Sequence, residues 1–154
     1  MNTDAAYFED GTGAIAAVLR NSRGEALAGV AEVFDHVSNP AAAEAMAIRR
    51  GLQLLQDIAC SRVIVEADSL EIINACNGVS DVLAPYSAIM ADCFQIAHGI
   101  SSIRFQYCLR EANGLAHFLA RHAYDNNTMY LWDNDPPTFL ITHVLNDVTL
   151  SFSQ

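Results

Sequence analysis

The sequence predicts a mixed α/β domain, a sheet with both antiparallel and parallel strands and helices packed on it. Three observations carry that expectation. The chain opens with three apolar segments separated by turn residues. From Asn39 the apolar period changes from strand-like to helix-like, and after that helical stretches alternate with short apolar strands. A meander followed by α/β units excludes an all-parallel doubly wound sheet. A length of 154 residues fits one domain.

Residues 1–8 read as a first strand, ended by the turn Glu9-Asp10-Gly11. Residues 12–20 are apolar and strand-like, and Asn21-Ser22-Arg23-Gly24 is a second turn signal before the apolar run 25–33. Asn39-Pro40 starts a helix, with Asn39 as cap and Pro40 in the first turn, running to about residue 59. Arg62 to Ala67 is a short buried strand centred on Val63-Ile64-Val65. A short helix opens at Asp68-Ser69-Leu70-Glu71 and ends near Asn77; a longer one covers 85–98. In 101–109, Ile103, Phe105 and Tyr107 alternate with polar neighbours, which predicts a strand. Residues 113–125 form the last helix. From Tyr130 the chain carries Trp132, Pro136-Pro137 and two apolar clusters without a clear period. The expected organisation is a domain over 1–128 and a tail, 129–154, packed on it through Tyr130 and Trp132.

Hydrophobic residues make up 52% of the chain and charged residues 17%, enough apolar surface for a core and too little charge for wholesale disorder. No stretch approaches the roughly 18–20 uninterrupted apolar residues of a membrane helix, so no membrane partner is expected. Met1-Asn2-Thr3-Asp4 shows neither a basic start nor an apolar run. The expected location is intracellular, nucleus or cytoplasm. Cys60, Cys76, Cys93 and Cys108 have no zinc-site spacing and read as buried free thiols of a reducing compartment. His36, His98, His122 and His143 likewise lack metal-ligand spacing and read as structural or surface residues. Eighteen acids stand against eight bases, all of them arginine, for a net charge of −10. That balance disfavours holding nucleic acid by its phosphates alone.

The informative residues are carboxylates in apolar surroundings. Placing the first helix at about 100° per residue puts Glu44 at the centre of an apolar stripe with Ala47, Ile48, Gly51 and Leu55. A carboxylate there requires a cation, a hydrogen-bond partner or a raised pKa. Asp4 lies inside the first strand, where aspartate is uncommon unless the position is an edge or a turn. Asp68 ends a buried strand, where α/β sheets build sites; with Glu71 it also reads as a helix capping box. Three acids from a strand, a helix stripe and a strand end can converge over one sheet. Without cysteine or clustered histidine ligands, such a set suits a hard cation, Mg²⁺ or Mn²⁺.

In Asn2-Thr3-Asp4-Ala5-Ala6, Gly13 to Arg20, Ala43-Glu44-Ala45-Met46-Ala47, Val65-Glu66-Ala67-Asp68-Ser69 and Arg110 to Arg121, the chain resembles the plant reverse-transcriptase-like ribonuclease H domains of non-LTR retroelements and derived host proteins. The Trp132…Pro136-Pro137 segment resembles the end of those domains, so the likeness spans nearly the whole chain. It implies a ribonuclease H-like fold, a five-stranded mixed sheet of order 3-2-1-4-5 with helices on both faces. It implies Asp4, Glu44 and Asp68 as catalytic metal ligands. The family's fourth acid falls at His117, opposite the apolar face of the last helix and on the same side as Asn113 and Arg121. His117 is then an imperfect fourth metal ligand or a proton shuttle. The family's chemistry is divalent-metal-dependent hydrolysis of RNA in RNA–DNA hybrids. Residues 78–84 carry no base, where some ribonucleases H have a lysine-rich insertion, so hybrid affinity is expected to be weak. Two functions stay open: this hydrolysis, favoured by the three acids, and a non-catalytic domain that binds a protein partner within a larger protein, favoured by the charge and by His117.

Overall fold

The structure is a computed structural model that describes residues 1–144. Strands β1 (Asn2–Tyr7), β2 (Gly13–Arg20) and β3 (Ala26–Phe34) form the antiparallel meander. Helix α1 (Pro40–Asp57), strand β4 (Arg62–Ala67), helices α2 (Leu70–Cys76) and α3 (Ser87–His98), strand β5 (Ser102–Tyr107) and helix α4 (Gly114–Asn126) follow, and β6 (Tyr130–Asp133) comes last. Short 3₁₀ turns at Ala84–Tyr86 and Arg110–Asn113 lead into α3 and α4.

The sheet has six strands in the order β5-β4-β1-β2-β3-β6, mixed in direction. The expected order 3-2-1-4-5 is present, and the expected count of five is corrected by β6, which pairs antiparallel with β3. Its alternation was hidden by Leu131, which points outward and is exposed, while Trp132 points inward and is buried. Trp132 faces Gly29 across the ladder. A Cβ built on Gly29 would stand 2.1 Å from the indole ring, so the glycine is the space the ring occupies. Residues 145–154 of the expected tail lie outside the described residues.

Two cores sandwich the sheet. On one face α1, α2 and α3 bury Ile48, Leu52, Leu55, Ile72 and Met90 against Val30 and Val65. Each such large side chain contributes about 1.5–3 kcal/mol on burial. On the other face Leu115 and Leu119 of α4 pack with Trp132 and Leu140 against Ala14, Ala16 and Val18. Alanines at the contacts allow both helices to approach the strands closely.

The start of α1 is fixed at several points. Asn39 caps it, its Oδ1 accepting from the Ala42 N–H at 2.8 Å, and Pro40 sits in the first turn. The Val37 N–H donates to Gly11 O, and the Tyr7 hydroxyl donates to Val37 O. These bonds set where α1 begins beside β1, and hence where Glu44 points. Gly29→Val should therefore displace Trp132 and loosen β6, destabilising the protein by about 1–3 kcal/mol in urea unfolding. Unchanged stability would show that the indole is not confined there.

A candidate metal centre at the fork of β1 and β4

The ladder between β1 and β4 consists of one pair, Asn2 with Glu66, supported by the Glu66 N–H donating to Met1 O. Beyond it no further pair forms among the described residues. The parallel register carries Asp4 next to Asp68, each two residues past that pair. Asp4 is 3% exposed, so its carboxylate leans into the interior at the fork. Glu44 reaches the same point from α1. Ligand oxygens of Asp4, Glu44 and Asp68 all lie within 4.8 Å of one another. The structure thus brings together the three carboxylates singled out in the sequence.

Crowding like charges in a dry place raises their proton affinity. Burial, then the neighbouring Asp4 and Asp68, pushes the Glu44 carboxyl up to about 9. Burial and the charge of Asp68 also raise Asp4, opposed by its hydrogen bond with His117. At neutral pH without a cation, Glu44 holds a proton. Its Oε2 is buried and has no hydrogen-bond partner. An all-oxygen donor set with an orphaned buried oxygen fits a small divalent cation, whose charge would replace that proton.

His117 lies in the first turn of α4 and half exposes its ring. Its Nδ1 is 2.8 Å from Asp4 Oδ2. It reaches the cluster through Asp4, leaving Nε2 without a protein partner among the described residues. Asp68 is not a cap: Ser69 stands at the N-cap of α2, without a side-chain cap bond, and α2 begins at Leu70. The Asp68 carboxylate turns to the cluster and to Arg110, whose Nε is 3.8 Å from Oδ2.

Two residues were not assigned a role from the sequence. Asn113, expected outside on the last helix beside His117, is 1% exposed and belongs to the 3₁₀ turn. Its Nδ2 donates to Thr3 O at 2.8 Å, and its Oδ1 accepts from Asn2 Nδ2 at 3.2 Å. Those bonds fasten the start of α4, and with it His117, to β1. A helix-phase reading misplaces Asn113 because the helix proper starts one residue later. Arg110 is largely exposed and lines the clefts on both sides of the acids, one with Ser69, Glu71 and Tyr107, the other with Phe8, His117 and Arg121. In the second cleft the Arg121 guanidinium lies 5.1 Å from the centre of the Phe8 ring. The cysteines are free, Cys93 and Cys108 buried and Cys60 and Cys76 only half-buried.

Three carboxylates at the meeting of a mixed sheet and its first helix, over this strand order, define a ribonuclease H-like domain. Residues 2–123 match the family described as reverse transcriptase-like, and the chain belongs to that family. No curated protein sequence matches the chain. Among solved structures it is similar to ribonuclease H1 from the halophilic archaeon Halobacterium salinarum NRC-1, with 20% identity over 81% of this chain and 96% of that one and a TM-score of 0.76. It is similar to the N-terminal ribonuclease H domain of a Mycobacterium tuberculosis protein, with 19% identity, 80% and 91% coverage and a TM-score of 0.74. LC11-RNase H1, from compost metagenomic material and solved with an RNA/DNA hybrid, is 23% identical over 82% of this chain and 96% of that one, with a TM-score of 0.74. At these identities the likeness shows the fold.

The raised Glu44 pKa has a consequence for stability. Between its ordinary value of 4.5 and about 9, the folded protein keeps a proton that the unfolded chain has lost. Metal-free stability therefore falls as pH rises through that window, by up to about 1.4 kcal/mol per pH unit. Glu44→Gln should flatten the slope. Urea unfolding in a chelator from pH 5 to pH 8, on the order of one unit per step, measures it; an equal slope in both proteins would place the proton elsewhere.

Proposed function

We propose that this domain is a divalent-metal-dependent ribonuclease acting on the RNA strand of RNA–DNA hybrids, slow because its fourth acidic position is His117. The observation that carries the reading is the three-carboxylate cluster with the orphaned Glu44 Oε2. Asp4, Glu44 and Asp68 would hold the ions. Bound Mg²⁺ or Mn²⁺ would activate water against a phosphodiester and neutralise charge on the leaving oxygen. The hybrid as substrate is supported by the family membership and by a structural neighbour solved with one.

The chain's own side chains have separate tasks. His117 Nδ1 orients the Asp4 carboxylate, and the other nitrogen of the half-exposed ring exchanges a proton near the reacting phosphate. The Arg110 guanidinium, beside Asp68 and reachable from both clefts, contacts a phosphate of the bound strand. Asn113 holds the α4 start in place for both. Net charge −10 makes hybrid affinity weak and steeply salt-dependent. The finer lineage, a plant domain derived from a non-LTR retroelement, is supported by the Asp4, Glu44, Asp68-Ser69 and Arg110–Arg121 motifs. Four free thiols support an intracellular location, nucleus or cytoplasm.

With no carboxylate at the fourth position the site has fewer oxygen donors and one less negative charge, which handicaps Mg²⁺, with its strict demand for oxygen ligands, more than Mn²⁺. Cleavage of labelled RNA in a hybrid should be slow with Mn²⁺, slower or absent with Mg²⁺, and lost in Asp68→Asn. His117→Asp should raise the Mg²⁺-dependent rate about tenfold, or about 1.4 kcal/mol of barrier. A wild type and a His117→Asp protein that both bind metal and leave hybrid intact would contradict the reading and favour the non-catalytic one.

A further inference from the structure

The eight arginines are not evenly placed. Arg49, Arg50, Arg110 and Arg121 each face a carboxylate, of Asp92, Glu32, Asp68 and Asp125. Arg20, Arg23, Arg62 and Arg104 form no ion pair among the described residues, and all four lie at one end of the sheet. Arg62 begins β4, Arg104 is in β5, Arg20 ends β2 and Arg23 is in the turn after it.

The sheet face there is uncovered. Asn2, opposite Glu66 in a parallel register, shares a face with Glu66, Ile64 and Arg62. On that face α4 packs over β1, β2 and β3 and leaves β4 and β5 bare. Arg62, Ile64, Ser102 and Arg104 are exposed in consequence, Ile64 by 44%. With Arg20 they line a cleft of about 610 Å³, in which Ile64 is the exposed apolar side chain among Arg20, Arg62 and Arg104. Arg20 is held toward the cleft by donating to Asn2 Oδ1 at 3.2 Å. Arg62 lies six residues before Asp68, roughly 20 Å along the strand, so the arginine end of the cleft is remote from the acid cluster.

We propose that this cleft docks an acidic peptide segment of a partner protein, an apolar side chain on Ile64 and flanking carboxylates on Arg20, Arg62 and Arg104. Charge complementarity selects the occupant: these are the unpaired cations of a chain with net charge −10. A nucleic-acid backbone fits less well, since it has no apolar group to set against the exposed Ile64 side chain. The peptide lies on the face rather than extending the sheet, because Asn77 Nδ2 already donates to Phe105 O on the β5 edge. Planar guanidinium groups on a fixed sheet suit bidentate carboxylate recognition.

Fluorescence anisotropy with a labelled peptide of repeated Glu-Leu-Asp triplets tests this. Wild-type protein should bind it saturably, weakening with salt. Arg62→Glu with Arg104→Glu should weaken binding about tenfold or more. Asp68→Asn, at the remote cluster, should leave it unchanged. Arg62→Gln with Arg104→Gln, checked for an unchanged unfolding midpoint, gives the same reading without charge reversal. No saturable binding by the wild type, or binding equal in the arginine variants, overturns the proposal. So does an oligothymidylate of equal charge that binds as tightly through the same arginines, or a salt-sensitive self-association of the wild type that the variants lose, since the occupant is then nucleic acid or a second copy.

Discussion

Mutual repulsion of three carboxylates is the constraint around which this domain is arranged. Ligand oxygens of Asp4, Glu44 and Asp68 crowd within 4.8 Å where β1 and β4 part. Nothing in that crowding favours folding. It is held by the surrounding structure, by the meander behind Asp4, the capped and tethered start of α1 and the buried strand ending in Ala67. Without a cation the cluster is relieved by a proton on Glu44, whose pKa rises to about 9. With one, the same arrangement becomes a preorganised seat for hard positive charge. Stability and function thus pull on the same three side chains in opposite directions, as happens where a site is built at the expense of the fold.

Much of this arrangement could be read from residue order. Glu44 stood out because helix phase put it on the apolar stripe, and Asn39-Pro40 marked where that helix starts. Asp4 stood out because aspartate is uncommon inside a strand of a buried sheet. Asp68 was ambiguous, since a capping box and a strand-end ligand share one local sequence. Only the third dimension, Asp4 beside it in the parallel register, separates the two. Asn113 was misplaced because a 3₁₀ turn precedes α4, so helical periodicity does not extend back to it. β6 was missed for a different reason. It is four residues long with Leu131 facing solvent, and its partner signal, Gly29, is far away in sequence. Strand pairing between distant segments leaves no local periodicity to read.

Charge placement separates two surfaces of one small domain. The acid cluster gathers negative charge at the C-terminal end of β4, softened by Arg110. The unpaired arginines gather at the opposite end, around a bare part of the sheet. A net charge read from composition averages these regions into one negative number. The average hides a local positive surface that suits an acidic partner. His117 belongs to the first surface: through Nδ1 it steadies Asp4, and its ring is half exposed beside the cluster.

The central claim is that the three carboxylates form a cation site. Thermal unfolding of the wild type and of Asp4→Asn, with increasing Mn²⁺ at neutral pH, tests it most directly. A ligand that binds only the folded state at about 100 times its Kd stabilises it by about 2.7 kcal/mol, which is roughly 5–10 °C in Tm for a domain of this size. The wild type should show such a rise and Asp4→Asn should show little or none. A wild-type Tm that ignores Mn²⁺, or an equal rise in Asp4→Asn, would contradict the account.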